Sequence, residues 1–169
     1  MDTSSIMVPL GIIGVIAALY LWFYFRDKKT LDPEDKRKDQ GNTLPLKLQA
    51  YERLVLLTDR IALPNLITRL NQSGLSAKET QMLLTQTIKQ EYEHNITQQI
   101  YVSPEAWEAV RNLKEQNILI VNQVTSFLPA NATGAELNKS LIELLVENPK
   151  ASLHHIVADA LSYEAKKLM

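Results

Sequence analysis

The stretch SPEAWEAVRNLKEQNILIVNQVTSFLP, residues 103–129, decides the fold class. Ser103 offers the hydroxyl that caps a helix, Pro104 takes the first helical position that proline favours, and Leu128-Pro129 is a stop. Between them Trp107, Val110, Leu113, Ile118, Val121, Val124 and Phe127 recur at helical intervals. That period predicts one long helix of about 24 residues, the spine of a helical domain. Ile118 to Val121 reads as an apolar knot buried on most sides.

Working outward, Ser76 and Glu79 have capping-box spacing before Met82, Leu83, Thr87, Ile88 and Tyr92, which predicts a helix over 76–95. Thr133 and Glu136 repeat the box before Leu137, Leu141, Leu144, Leu145 and Val146. Pro149 separates that helix from a last one holding Leu153, Ile156, Val157, Leu161 and Leu168. Upstream, Leu46, Leu48, Tyr51, Leu54, Val55, Leu57 and Ile61 predict a helix that starts after Pro45. Pro64 interrupts it before a short apolar turn around Leu66, Ile67 and Leu70, and Gly74 closes the unit. The run Ile96 to Val102 is β-branched and aromatic without a partner strand, so it reads as an extended connector. The fold class is all-α: one N-terminal transmembrane helix plus a compact multi-helix soluble bundle with short, antiparallel connections. A long coiled-coil stalk is excluded, because Pro64, Gly74, Pro104, Pro129 and Pro149 would break it.

The transmembrane expectation rests on Ile6 to Phe25, 20 residues without a charge, of which eleven are Ile, Val, Leu or Phe. At about 1.5 Å per residue such a helix reaches roughly 30 Å, the hydrocarbon thickness of a bilayer. A cleaved signal peptide would need a basic start, a shorter apolar core and a small-residue cleavage site, and all three are missing. Asp2 alone is charged before the span, whereas Tyr20, Trp22 and Tyr24 lead into Arg26, Lys28 and Lys29. The positive-inside bias then leaves the N-terminus outside and the C-terminal domain cytoplasmic. Gly14 and Ala18 have the spacing of a close helix seam, although small residues are common in membrane helices anyway. From Arg26 to Gln40, eleven of fifteen residues are charged, six basic and five acidic. Matched charges make a tether rather than a lipid clamp. The domain reading is therefore anchor 1–25, charged linker 26–43 and helical domain 44–169.

Composition removes several functions. A net charge of −1 gives no global electrostatic reason to expect nucleic acid as a partner, and zero cysteines exclude disulfides, thiolate nucleophiles and cysteine-held metals. No Gly-x-Ser-x-Gly elbow and no glycine cluster is present, so acyl transfer and phosphate cradling lack their parts. Glu91 and His94, three apart, form half of a di-iron pattern whose other half is absent. His155 and Asp159, four apart, could share a metal or a proton, but an ordinary pair on a solvated face explains them as well. No catalytic, cofactor or metal residue is therefore assigned. The sequons at Asn71, Asn95, Asn131 and Asn138 are chance matches in a cytoplasmic domain. Tyr51, Tyr92, Tyr101 and Trp107 are interface-capable aromatics whose helical spacing favours a core role.

The residues Leu46-Lys47-Leu48-Gln49-Ala50-Tyr51-Glu52-Arg53-Leu54, Asp59-Arg60-Ile61, Glu93-His94-Asn95, Gln98 to Ser103, and Trp107 resemble an uncharacterised family of bacterial single-pass membrane-tethered helical proteins. The resemblance implies a bacterial inner-membrane protein and carries over no activity, cofactor or site residue. The expected function is a non-catalytic interaction module or scaffold with no cofactor. It would meet the bilayer through Ile6 to Phe25, and a protein partner or a second copy through its helical domain. A metal-dependent enzyme or metal sensor using Glu91, His94, His155 and Asp159 is the alternative.

Overall fold

The structure, a computed structural model, describes residues 33–148 and 153–169, with side chains from residue 43 onward. The predicted anchor at 6–25, its Gly14/Ala18 seam and Pro149 lie outside the described residues. Among those described, no helix is long and apolar enough to cross a membrane. The described residues form six α-helices: α1 Pro33–Ile61, α2 Leu63–Leu70, α3 Ala77–His94, α4 Pro104–Phe127, α5 Gly134–Glu147 and α6 His154–Leu168. No β-strand occurs among the described residues. The chain divides into two units between Thr43 and Leu44; the described part of the first is helical from Pro33 on. The second unit carries the core.

That core follows helical arithmetic. On α1 the buried positions Ala50, Tyr51, Leu54, Leu57, Thr58 and Ile61 form one stripe. It joins Leu66 of α2, Leu84 and Ile88 of α3, Val110, Leu113 and Val121 of α4, Leu137 and Leu141 of α5, and Val157 and Leu161 of α6. Fully burying such a side chain stabilises by about 1.5–3 kcal/mol, which is why these stripes fix the assembly. The middle helix α3 lies against α2, α4 and α5, and α4 also meets α6.

Both capping boxes form as the spacing predicts. The Ser76 amide donates to Glu79 Oε2 at 2.9 Å while Ser76 Oγ accepts from the Glu79 amide at 3.3 Å. The Thr133 amide donates to Glu136 Oε2 at 2.7 Å and Thr133 Oγ1 accepts from the Glu136 amide at 3.3 Å. The two caps also bind each other. Ala77 N–H donates to the Ala132 carbonyl at 2.9 Å and Gly134 N–H to the Leu75 carbonyl at 2.8 Å, an isolated antiparallel bridge between Ser76 and Thr133. Gly74 turns the chain into this pairing with φ of 87°, a left-handed conformation that L side chains resist. A Cβ on Gly134 would collide with the Thr80 hydroxyl and lie 3.2 Å from the Leu75 carbonyl oxygen, so only glycine permits the approach.

Five expectations need correction. The first helix does not start after Pro45 but runs through it. Pro45 is exposed, so the hydrogen bond it cannot make is lost on a solvated side rather than in the core. The apolar turn after Pro64 is a helix of its own, α2, with Pro64 in its first turn; the break falls two residues before Pro64, at Ala62, with ψ of 124°. Asn117 of α4 reaches that break from the core and donates to the Ile61 carbonyl at 2.8 Å, satisfying a helix-end acceptor. The connector after α3 is a short 3₁₀ helix, Ile96–Ile100, not an extended segment. With no neighbouring strand, its backbone bonds locally: Gln98 N–H to Asn95 O and Tyr101 N–H to Gln98 O, each at 3.0 Å. The Ile118–Val121 knot is only half right, since Leu119 is 53% exposed. Four consecutive helical residues sweep most of a turn and cannot all face one core. For the same geometric reason Met82, Val146, Ile156 and Leu168, expected on apolar stripes, are exposed.

Candidate functional site

The first candidate lies where the flank of α1 meets the end of α3. Arg53, Leu56 and Arg60 are exposed along α1, and α3 brings Glu91 and His94 opposite them. Together with Leu57 and Asn95 they line an open groove of about 390 Å³. Glu91 is the fixed point. Its Oε2 accepts from Arg60 Nε at 2.8 Å and its Oε1 from Arg60 Nη2 at 2.6 Å, a two-pronged pair. Arg69 of α2 adds a longer contact of 3.5 Å to Oε1 and donates to the Arg60 carbonyl at 3.2 Å. The Arg60 hydrogen bond holds the Glu91 carboxyl below the usual glutamate range against an opposing push from burial. With its side chain only 14% exposed, Glu91 is spent on arginines rather than offered to a metal. Arg53 makes no ion pair among the described residues. The groove thus presents basic character around Leu56, which is 56% exposed.

His155 belongs elsewhere. It lines a second groove of about 440 Å³ with His154, Asp59, Asn65, Ile142 and Val146. The rings of His154 and His155 lie 3.9 Å apart at 40°. Burial first, then the neighbouring His155, push the His154 imidazole below its usual value, with Asp59 opposing. Asp159 is exposed further along α6. Among the described residues no three His, Asp or Glu side chains gather into a group that could hold a metal ion. Glu91, His94, His155 and Asp159 therefore make no common site.

A polar junction that the sequence did not announce ties three helices. Tyr51 Oη donates to Glu164 Oε2 at 2.7 Å, Ser103 Oγ donates to the same oxygen at 2.6 Å, and the Ser103 amide donates to Tyr51 Oη at 3.1 Å. Burial raises the Tyr51 hydroxyl above its ordinary value, ahead of the opposing Ser103 amide and the reinforcing Glu164. Ser103 also accepts from the Ala106 amide at 3.0 Å as the cap of α4. No imidazole joins the junction, so it fastens α6 to the start of α4 rather than arming a nucleophile. Of the aromatics expected in the core, Tyr51 is buried, and Tyr92 and Trp107, their rings 4.9 Å apart, pack against the core cluster, whereas the half-buried Tyr101 is not part of it.

Period and composition did not mark Arg53, Arg60 and Arg69 as a surface group, and Phe127, expected on the apolar stripe of the spine helix, is 87% exposed. Their signal was present: Arg53, Leu56 and Arg60 recur at three and four residues on the flank of an otherwise buried stripe. Phe127 ends an apolar row just before a proline stop, where no further turn can cover it.

The described residues thus define an all-α domain with open surface grooves. A model described as a family of unknown function (DUF7935) matches residues 1–168, and the chain belongs to that family. No curated protein and no solved structure matches it.

Proposed function

We propose that this chain is a membrane-anchored, non-catalytic interaction or scaffold protein of a bacterial inner membrane. Ile6 to Phe25 holds the bilayer, the N-terminus faces outward, and the helical domain works on the cytoplasmic side. The observation that carries the interaction role is the set of large apolar side chains standing in water beside open grooves. Phe127 is 87% exposed, Val146 73% and Leu56 56%. Each borders a different open groove: Leu56 beside Arg53 and Arg60, Phe127 beside Glu143 and Glu147, and Val146 beside Asp59 and His154; an apolar side chain at a concave, charged-rimmed surface is the anatomy of a contact site. The anchor is supported by the uncharged run and its aromatic and basic exit.

Photo-crosslinking residues placed at Val146 and Phe127 of the full chain in intact cells test the role, with exposed Lys89 on α3 as control. Discrete adducts at the first two positions and none at Lys89 are the expected result; equal labelling at all three overturns it. Deletion of residues 6–25 should release the protein from the membrane fraction. Metal analysis of the purified full chain separates this reading from the metal-dependent one: stoichiometric metal that disappears in His94→Ala would overturn it.

A further inference from the structure

Two surfaces of the helical domain complement each other in charge and in apolar content. One is the Arg53–Leu56 groove described above, where Arg53, Arg60 and Arg69 outnumber Glu91. Its floor, Leu57, is buried, and Leu56 stands at its edge. The other surface is built where α4 ends beside α5. There Phe127 projects over a shallow cleft of about 270 Å³, flanked by the carboxylates of Glu143 and Glu147. Lys139 reaches Glu143 at 3.7 Å on an exposed helix face, and Glu147 has no ion pair among the described residues.

We propose that the Arg53–Leu56 groove receives Phe127 of a second copy of this chain, with Glu143 and Glu147 of that copy facing Arg53 and Arg60. This names a partner for the interaction role proposed above and rests on that role, though not on the membrane segment. The groove is roomy enough: a cavity of about 150 Å³ already holds a benzene ring, and this one measures about 390 Å³. An aromatic anchor in a pocket with opposite charges at the rim is the usual anatomy of a binding centre. The rim charges set register and partner choice more than affinity. Pairing like surfaces would instead set arginines against arginines. The contact therefore joins two different faces: it closes as a reciprocal pair where both grooves are filled at once, and otherwise propagates into a ring or an open row.

The native chain has no cysteine, so thiols can be introduced singly. Full-length His94→Cys, at the groove, and full-length Ser140→Cys, beside Phe127, are reconstituted together in the same nanodiscs, with each alone as a control, then treated with a short bis-maleimide. The mixture should give a crosslinked dimer while each variant alone stays monomeric. Adding Phe127→Ala to the Ser140→Cys chain should abolish the product. Adding Arg53→Glu to the His94→Cys chain should cut the yield about fivefold, the scale of one exposed charge contact. Glu147→Arg in the partner chain should restore it. Circular dichroism shows whether each variant keeps its helices. A mixture that gives no dimer overturns the proposal, as do dimers formed by either single variant or a yield indifferent to Arg53→Glu. If the mixture fails while photo-adducts to another protein persist at Phe127, the occupant is that protein; the interaction role then stands and the self-pairing falls.

Discussion

The paired helix caps and the Arg60–Glu91 groove are both made from charged and polar side chains, yet they end in opposite states. The caps are answered from within: one backbone bridge of two hydrogen bonds, two reciprocal boxes, and a glycine against Thr80 that admits no added atom. In the groove Glu91 is answered, but Arg53 has no ion pair among the described residues, and Leu56 stands in water beside it. Closed polar sites secure a fold, because a helix start whose amides are answered does not fray. Open ones leave interaction energy unspent for another molecule.

The sharpest way to break this contrast is to overfill the closed site. Gly134→Ala should destabilise the domain by about 1–3 kcal/mol, read as a shifted denaturant midpoint. A neutral result would mean that Thr80 and the Leu75 carbonyl move aside freely. Next in size is the junction under α6. Tyr51→Phe removes the acceptor of the Ser103 amide and one donor to Glu164, and should cost about 1–2 kcal/mol by the same measurement. Thr133→Ala should cost about 1 kcal/mol as a lost cap. Its pH behaviour sharpens the point. The Ser76 and Thr133 backbone amides hold the Glu79 and Glu136 carboxyls below the usual range. A depressed carboxylate adds stability that is present above its unfolded value, about 4.3, and lost as pH falls through the folded one. The wild-type midpoint should therefore drop more steeply on acidification below that value than the midpoint of Glu136→Gln. The smallest effect belongs to the open site: Arg53→Glu should change stability by no more than about 0.5 kcal/mol. If it costs as much as Gly134→Ala, the groove is part of the scaffold and the contrast fails.

The sequence made the closed features legible and the open ones obscure, for a physical reason. Ser76 with Glu79 and Thr133 with Glu136 are local patterns whose chemistry is complete within four residues, and both boxes formed as spaced. The spine from Pro104 to Phe127 was equally local. Contacts such as Asn117 to the Ile61 carbonyl or Tyr51 to Glu164 join residues far apart in the chain, and no spacing rule reaches them. The grooves depend on what α1, α3 and α5 leave uncovered, which is a property of packing rather than of period. Leu119 and Val146 show the limit from the other side: both sit in apolar runs, yet the arc of each helix turned toward the core excludes them.

The bridge between Ser76 and Thr133 also bears on how the domain opens. Each helix start is held by the other, so α3 cannot fray from its first turn without freeing α5, and the reverse holds. The Ala77 and Gly134 amide protons should then exchange with solvent together, at the slow rate of the whole domain rather than at the fast rate of ordinary helix ends. What began as two separate caps behaves as one clasp.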